Sequence, residues 1–223
     1  MKKVMTIATV IFASLSVSTA VSAADYGVEL AWNTNNANDV LATMSEQRAA
    51  FGQLVNNGEI KDMFVFDSSI DGKPMKLIRF VIDATDEANA KAKLANLPLY
   101  KKELVKINNV RLLGNKWLDN TPVPKNYGVT FTWREGIDAL EMDRVLGVDL
   151  QRVIGLNQAG LITSSYLNTQ TLESGVERPI YNVSFLAKDA KHARELTKQF
   201  EAVNLGYATV EVMYLGHKVQ LTQ

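Results

Sequence analysis

The sequence predicts an α+β fold in which two tandem βαββαβ repeats pack sheet to sheet into a barrel. Three observations predict it. The stretch Tyr26-Gly27-Val28-Glu29-Leu30-Ala31-Trp32 returns about a hundred residues later as Tyr127-Gly128-Val129-Thr130-Phe131-Thr132-Trp133. Each copy is followed by a helical pattern ending at a glycine, Gly58 or Gly160, and by a strand in which Phe80 answers Phe185. Each unit then closes on a strand ending Leu113-Gly114 or Leu215-Gly216.

The first repeat opens on period-two alternation, with Tyr26, Val28, Leu30 and Trp32 on one face and Gly27, Glu29 and Ala31 on the other. Val40, Leu41, Met44, Phe51, Leu54 and Val55 then recur at helical spacing up to Gly58, a natural residue just past a helix end. A hairpin follows, with strands over 61–67 and 75–83 and Asp71-Gly72 at its tip. A second helix is expected to start near Thr85 and to stop before Pro98, and 104–113 supplies the last strand. The stretch 115–125, with Pro122 and Pro124, reads as a linker carrying one buried ring, Trp117. In the second repeat a helix over 137–157, weakened by Gly147 and Gly155, precedes a hairpin of 161–169 and 180–187 with a longer loop. Asp189 caps a helix reaching about Val203, and 209–215 closes the unit. Each repeat is thus a split βαβ, ferredoxin-like unit. The division is 24–114, a linker of 115–125, and 126–223.

Lys2 and Lys3, the apolar run from Val4 to about Val17 and the small residues Val21-Ser22-Ala23 predict a signal peptide over 1–23, cleaved at Ala23-Ala24. A periplasmic or secreted protein is expected. Cleavage leaves 22 Lys and Arg against 24 Asp and Glu, a net charge near −2. Neither nucleic acid nor an anionic membrane is an expected partner, and stable membrane insertion is not expected once the leader is removed. With no cysteine the chain has neither disulfides nor thiolate chemistry, so its core alone must hold it.

One ferredoxin-like unit leaves a sheet face bare, and two can cover it by facing each other. Leu94-Ala95-Asn96-Leu97-Pro98-Leu99-Tyr100 and the following strand 105–113 resemble the L-x-x-L-P-L-[FY] segment and last strand of muconolactone delta-isomerases. Glu46-Gln47-Arg48 is similar to that family's helix end. The resemblance implies the dimeric α/β-barrel superfamily, to which YciI-like proteins also belong, here as a tandem pseudo-dimer. It also implies cofactor-free proton abstraction and return. The second half departs from the motif: it has Glu201-Ala202-Val203-Asn204-Leu205 there and lacks the Leu-Pro.

If the aromatic faces of the first strands meet the helices, Gly27, Glu29, Ala31, Gly128, Thr130 and Thr132 line the barrel. So do Leu77, Arg79, Asn182 and Ser184, and Asn109, Arg111, Glu211 and Met213. Glu29 is the candidate catalytic base, and Arg79, Arg111, Asn182 and Glu211 the candidate ligand-binding residues. The competing reading makes Glu29, Arg79, Arg111 and Glu211 a structural ion network between the halves. The two histidines, His192 and His217, offer neither a zinc site nor a haem ligand, and no cofactor or metal is expected. Two functions follow from these residues: a small-molecule-binding or isomerase-like barrel whose ligand is a small anionic or aromatic compound, or a non-catalytic envelope scaffold. An open pocket holding Glu29 beside an arginine favours the first. The sequence leaves open whether the barrel assembles further.

Overall fold

A computed structural model of the chain describes residues 23–221, so the expected leader lies outside the described residues apart from Ala23. The elements run β1 (Ala24–Trp32), α1 (Ala37–Asn56), β2 (Ile60–Ile70), β3 (Lys73–Ala84), α2 (Glu87–Leu94), α3 (Pro98–Lys101) and β4 (Val105–Asp119). They continue β5 (Lys125–Trp133), α4 (Ala139–Gln158), β6 (Ile162–Thr171), β7 (Glu177–Leu186), α5 (Ala190–Thr197), α6 (Glu201–Asn204) and β8 (Ala208–Val219). These strands join one closed antiparallel barrel in the order β1-β3-β2-β8-β5-β7-β6-β4.

The local chemistry explains the boundaries. Asn36 caps α1 by accepting from the Asn38 amide, and Gly58 ends it at φ 72° with its amide on Val55 O and that of Glu59 on Leu54 O. Gly160 ends α4 in the same way. Asp71 and Gly72, both at positive φ, form the two-residue turn between β2 and β3, whereas β6 and β7 are joined by the longer loop 172–176. Several expected boundaries move. Asp86, one residue past Thr85, caps α2. Asp138 caps α4, which therefore begins at Ala139. The helix expected to reach Val203 breaks at Lys198, and α6 restarts after it. Pro98 stops α2 as expected but also starts α3, because a proline is well placed at a first helical position.

The helix-facing sides of the strands build one main apolar cluster in each half, with a smaller one beside it. Tyr26, Val28, Phe80 and Ile82 pack with Phe51 and Leu94, and Tyr127, Val129, Phe131, Val183 and Phe185 pack with Val153 and Phe200. The aromatic face of the repeated motif therefore points outward to the helices. One correspondence shifts. Phe80 lies opposite Val28, but Phe185 lies opposite Tyr127, so the partner of Phe185 in the first half is Ile82, not Phe80. A two-residue slip leaves every face unchanged, because the side-chain period is two.

Strands β4 and β8 do not end at Leu113-Gly114 and Leu215-Gly216. Each turns there and crosses to the other half. Residues 115–119, expected as linker, pair with β6, and residues 217–219 pair with β2. Gly114 (φ 95°) and Gly216 (φ 114°) sit at these corners. A Cβ on Gly114 would overlap the Leu167 carbonyl, and one on Gly216 would overlap that of Val65. Only glycine lets the backbones approach so closely. Trp117, partly buried, packs on the core of the second half as expected.

Candidate functional site

The repeated glycines shape the barrel interior. A Cβ on Gly27 would lie 3.2 Å from Leu113 Cδ1, and one on Gly128 would lie 3.3 Å from Leu215 Cδ2. Each glycine thus makes room for a leucine inside the barrel. Beside these leucines is a cavity of about 80 Å³, with Phe64, Val81 and Met213 among its apolar lining. Its polar lining includes Glu29, Arg79, Arg111, Asn182 and Glu211, so the barrel brings together all five residues singled out from the sequence. The space holds several waters or one compact organic molecule, well short of the roughly 300 Å³ at which sites for drug-sized ligands begin.

The charges form two pairs instead of one network. Arg111 Nη2 donates to both Glu211 carboxylate oxygens at 3.2 and 3.1 Å, and its Nη1 donates to Thr130 Oγ1 at 3.0 Å. This pair, with one nitrogen shared between both carboxylate oxygens, joins the two halves of the chain and gives Arg111 a counter-charge. Arg79 is held more loosely. Its Nε is 3.6 Å from Glu29 Oε2, beyond hydrogen-bond reach, and its guanidinium lies over the Phe66 ring at 4.1 Å. Asn109 Nδ2 donates to Glu29 Oε1 at 3.4 Å.

Three buried atoms of this lining have no hydrogen-bond partner among the described residues: Arg79 Nε, Arg79 Nη1 and Asn182 Oδ1. Asn182 is only 6 % exposed, and its Nδ2 donates to Leu113 O at 3.0 Å. Leaving such groups unpaired costs about 1–3 kcal/mol each, so they mark where a polar partner is called for.

Next to the cavity lies a buried polar cluster that reasoning from sequence missed. Asp62 and Lys218 are each 2 % exposed and 3.1 Å apart. Lys116 Nζ reaches Asp62 Oδ1 at 3.0 Å and Asp119 Oδ2 at 2.8 Å, and Lys218 Nζ also bonds Asp119, Ser164 Oγ and the carbonyls of Asn120 and Thr163. Tyr166, which also lines the cavity, donates its hydroxyl to Asp62. Burial, then the charge of Asp62, pushes the Tyr166 phenol well above its usual range. Burial works against the charge on Lys116, but Asp62 and Asp119 outweigh it and hold the ammonium above its usual range. Burial likewise disfavours the Asp119 carboxylate, yet Lys116 and Lys218 hold it below the usual range. The signal for this cluster was the repeated Leu-Gly-x-Lys of Leu113-Gly114-Asn115-Lys116 and Leu215-Gly216-His217-Lys218.

Neither histidine joins the cavity. His192 lies on α5, where its Nδ1 accepts from the Lys188 amide at 3.3 Å, and His217 is exposed on β8. Among the described residues no group of three or more His, Cys, Asp or Glu is placed to hold a metal, and no helix is long and apolar enough to cross a membrane.

No protein-family model matches this sequence, and no curated protein sequence matches it. Solved structures do. A variant of the chlorite dismutase from Candidatus Nitrospira defluvii superposes with a TM-score of 0.57 at 9% identity, covering 89% of this chain and 92% of that one. The imidazole complex of the same enzyme gives 0.55 at 8%, covering 88% and 92%. A haem-binding protein from Thermus thermophilus gives 0.54 at 10%, covering 89% and 92%. At such identities the likeness concerns the fold alone: the chain shares the α+β barrel fold of these proteins, with each half in ferredoxin-like βαββαβ order.

Proposed function

We propose that this is an exported protein that binds a small anionic molecule inside its barrel. The observation that carries the reading is the set of unpartnered polar atoms, Arg79 Nε and Nη1 with Asn182 Oδ1, on residues that line one partly open cavity. A guanidinium with free N–H groups in a partly apolar pocket is a strong acceptor-seeking group, and a carboxylate or other oxyanion satisfies it best. The leader-like start of the sequence supports export, and N-terminal sequencing of the processed protein should begin at Ala24. The same reading includes descent of both halves from one duplicated unit, supported by the repeated Tyr-Gly-Val and Leu-Gly-x-Lys segments.

Haem, which the Thermus protein binds, does not fit this site. The cavity of about 80 Å³ is too small for the macrocycle, its lining has no imidazole or thiolate, and the Tyr166 hydroxyl is committed to Asp62. In an isomerase-like version of the reading, similar to muconolactone isomerases, Glu29 removes and returns a proton on a substrate held by Arg79. Glu29→Gln should then abolish turnover while the fold persists.

The test is native mass spectrometry of protein isolated from the periplasm. A stoichiometric small acid that is lost in Arg79→Met supports the reading. A clean apo mass, together with no thermal shift from a panel of small carboxylates, would leave the scaffold role instead.

A further inference from the structure

Resting on the anion-binding reading, we propose that the ligand is a compact hydroxycarboxylate and that it binds together with one proton, taken up by Glu29. The ligand class follows from what the orphaned atoms lack. Arg79 stands on β3 and Asn182 on β7, strands on opposite sides of the barrel. Arg79 Nε and Nη1 need an acceptor, whereas Asn182 Oδ1 needs a donor. A plain carboxylate answers only the first. A carboxylate that carries a hydroxyl at its other end answers both, and a cavity of about 80 Å³ restricts it to a few heavy atoms.

The proton follows from charge. Arg111 already has Glu211 as its counter-charge and is bonded to Thr130. Among the described residues the counter-charge paired with Arg79 is Glu29, at 3.6 Å and without a hydrogen bond. A ligand carboxylate that hydrogen-bonds Arg79 takes over that counter-charge and places a second negative group beside Glu29. Two carboxylates sharing one cation in a partly dry site do not both stay ionised. The other charged or titratable groups facing the cavity offer no relief: Arg111 and Glu211 cancel, and Tyr166 is a neutral donor to Asp62. One proton therefore moves from solvent to the Glu29 carboxylate. The ligand stays an anion on Arg79, and no bond other than that O–H is made.

The experiment is titration calorimetry of glycolate into the chain from Ala24 onward, at about pH 6.5, in two buffers of unequal ionisation enthalpy, with acetate run in parallel. The expected result is uptake of about one proton per glycolate, an affinity falling about tenfold per pH unit, and acetate about tenfold weaker. Glu29→Gln should bind glycolate more tightly, without proton uptake or pH dependence. Glycolate bound with no proton uptake, or acetate bound equally well, overturns the inference while leaving anion binding intact. Failure of the wild-type protein to bind any small carboxylate removes the underlying reading as well.

Discussion

Gly114 and Leu167 meet backbone to backbone: the glycine α-carbon lies so close to the leucine carbonyl that no side chain fits between them. This contact is where β4 leaves its own half and begins to pair with β6. Gly114→Ala combines a positive φ with a backbone overlap that cannot be relieved by a rotamer change. It should cost on the order of 3 kcal/mol or more, and Gly216→Ala, against Val65, should do the same. Urea unfolding midpoints measure both, and a loss below about 1 kcal/mol would mean that the corners are not tight.

Gly147 behaves in the opposite way. It lies within α4, where a Cβ would meet nothing within 4 Å, so it weakens the helix without serving a close approach. Gly147→Ala should raise stability by about 0.5–1 kcal/mol, read as a higher melting temperature.

Two of the ion pairs that span the halves, Lys218 with Asp62 and Arg111 with Glu211, should differ greatly in weight. Lys218 is 2 % exposed beside Asp62, so Lys218→Met leaves that buried carboxylate with Lys116 alone as counter-charge and strips Thr163 O and Ser164 Oγ of their buried donor, and it should cost about 3 kcal/mol or more. The Glu211 side chain is 66 % exposed, and Glu211→Gln should change stability by less than about 1 kcal/mol. Equal losses in chemical denaturation would contradict this ranking.

Alkaline pH should weaken the fold. Burial raises the Tyr166 and Tyr181 phenols, and Asp62 and Asp119 outweigh burial to raise Lys116. Above about pH 10 the unfolded chain releases these protons while the folded chain retains them, so stability is full below that range and falls as pH rises through it. On the acid side the contributions oppose each other. Asp119, held low, loses its stabilisation as pH falls, whereas Asp25 and Asp149, raised by burial, favour the folded state there. Tyr166→Phe should flatten the alkaline limb of a stability–pH profile, and an unchanged slope would exclude Tyr166 as a contributor.

The inward and outward faces of the strands were legible because alternation is a local property. Tyr26 and Val28 against Gly27 and Glu29 state their sides within four residues, and even the Phe80 to Phe185 misalignment kept every side chain on its correct face. The five cavity residues followed from that parity. The lysines paired with Asp62 did not. Lys116 falls in a stretch that reads as linker, and Lys218 lies past the closing strand of the repeat, so the recurring Leu-Gly-x-Lys marks both lysines but says nothing of the distant Asp62 on which they converge.

By itself, then, the sequence determined the βαββαβ order of each half apart from the short helices α3 and α6, the helix ends at Gly58 and Gly160, the two-residue turn at Asp71-Gly72 and the set of side chains that point into the barrel. Only the tertiary structure decided which strands close the barrel, that Arg111 takes Glu211 while Arg79 keeps only a loose hold on Glu29, and that Asp62, Lys116 and Lys218 share one dry site. The physical reason is range. Capping, turn geometry and alternation act between neighbours in the chain, whereas barrel closure and charge pairing join residues as far apart as Asp62 and Lys218, whose meeting depends on where Gly114 and Gly216 turn the strands.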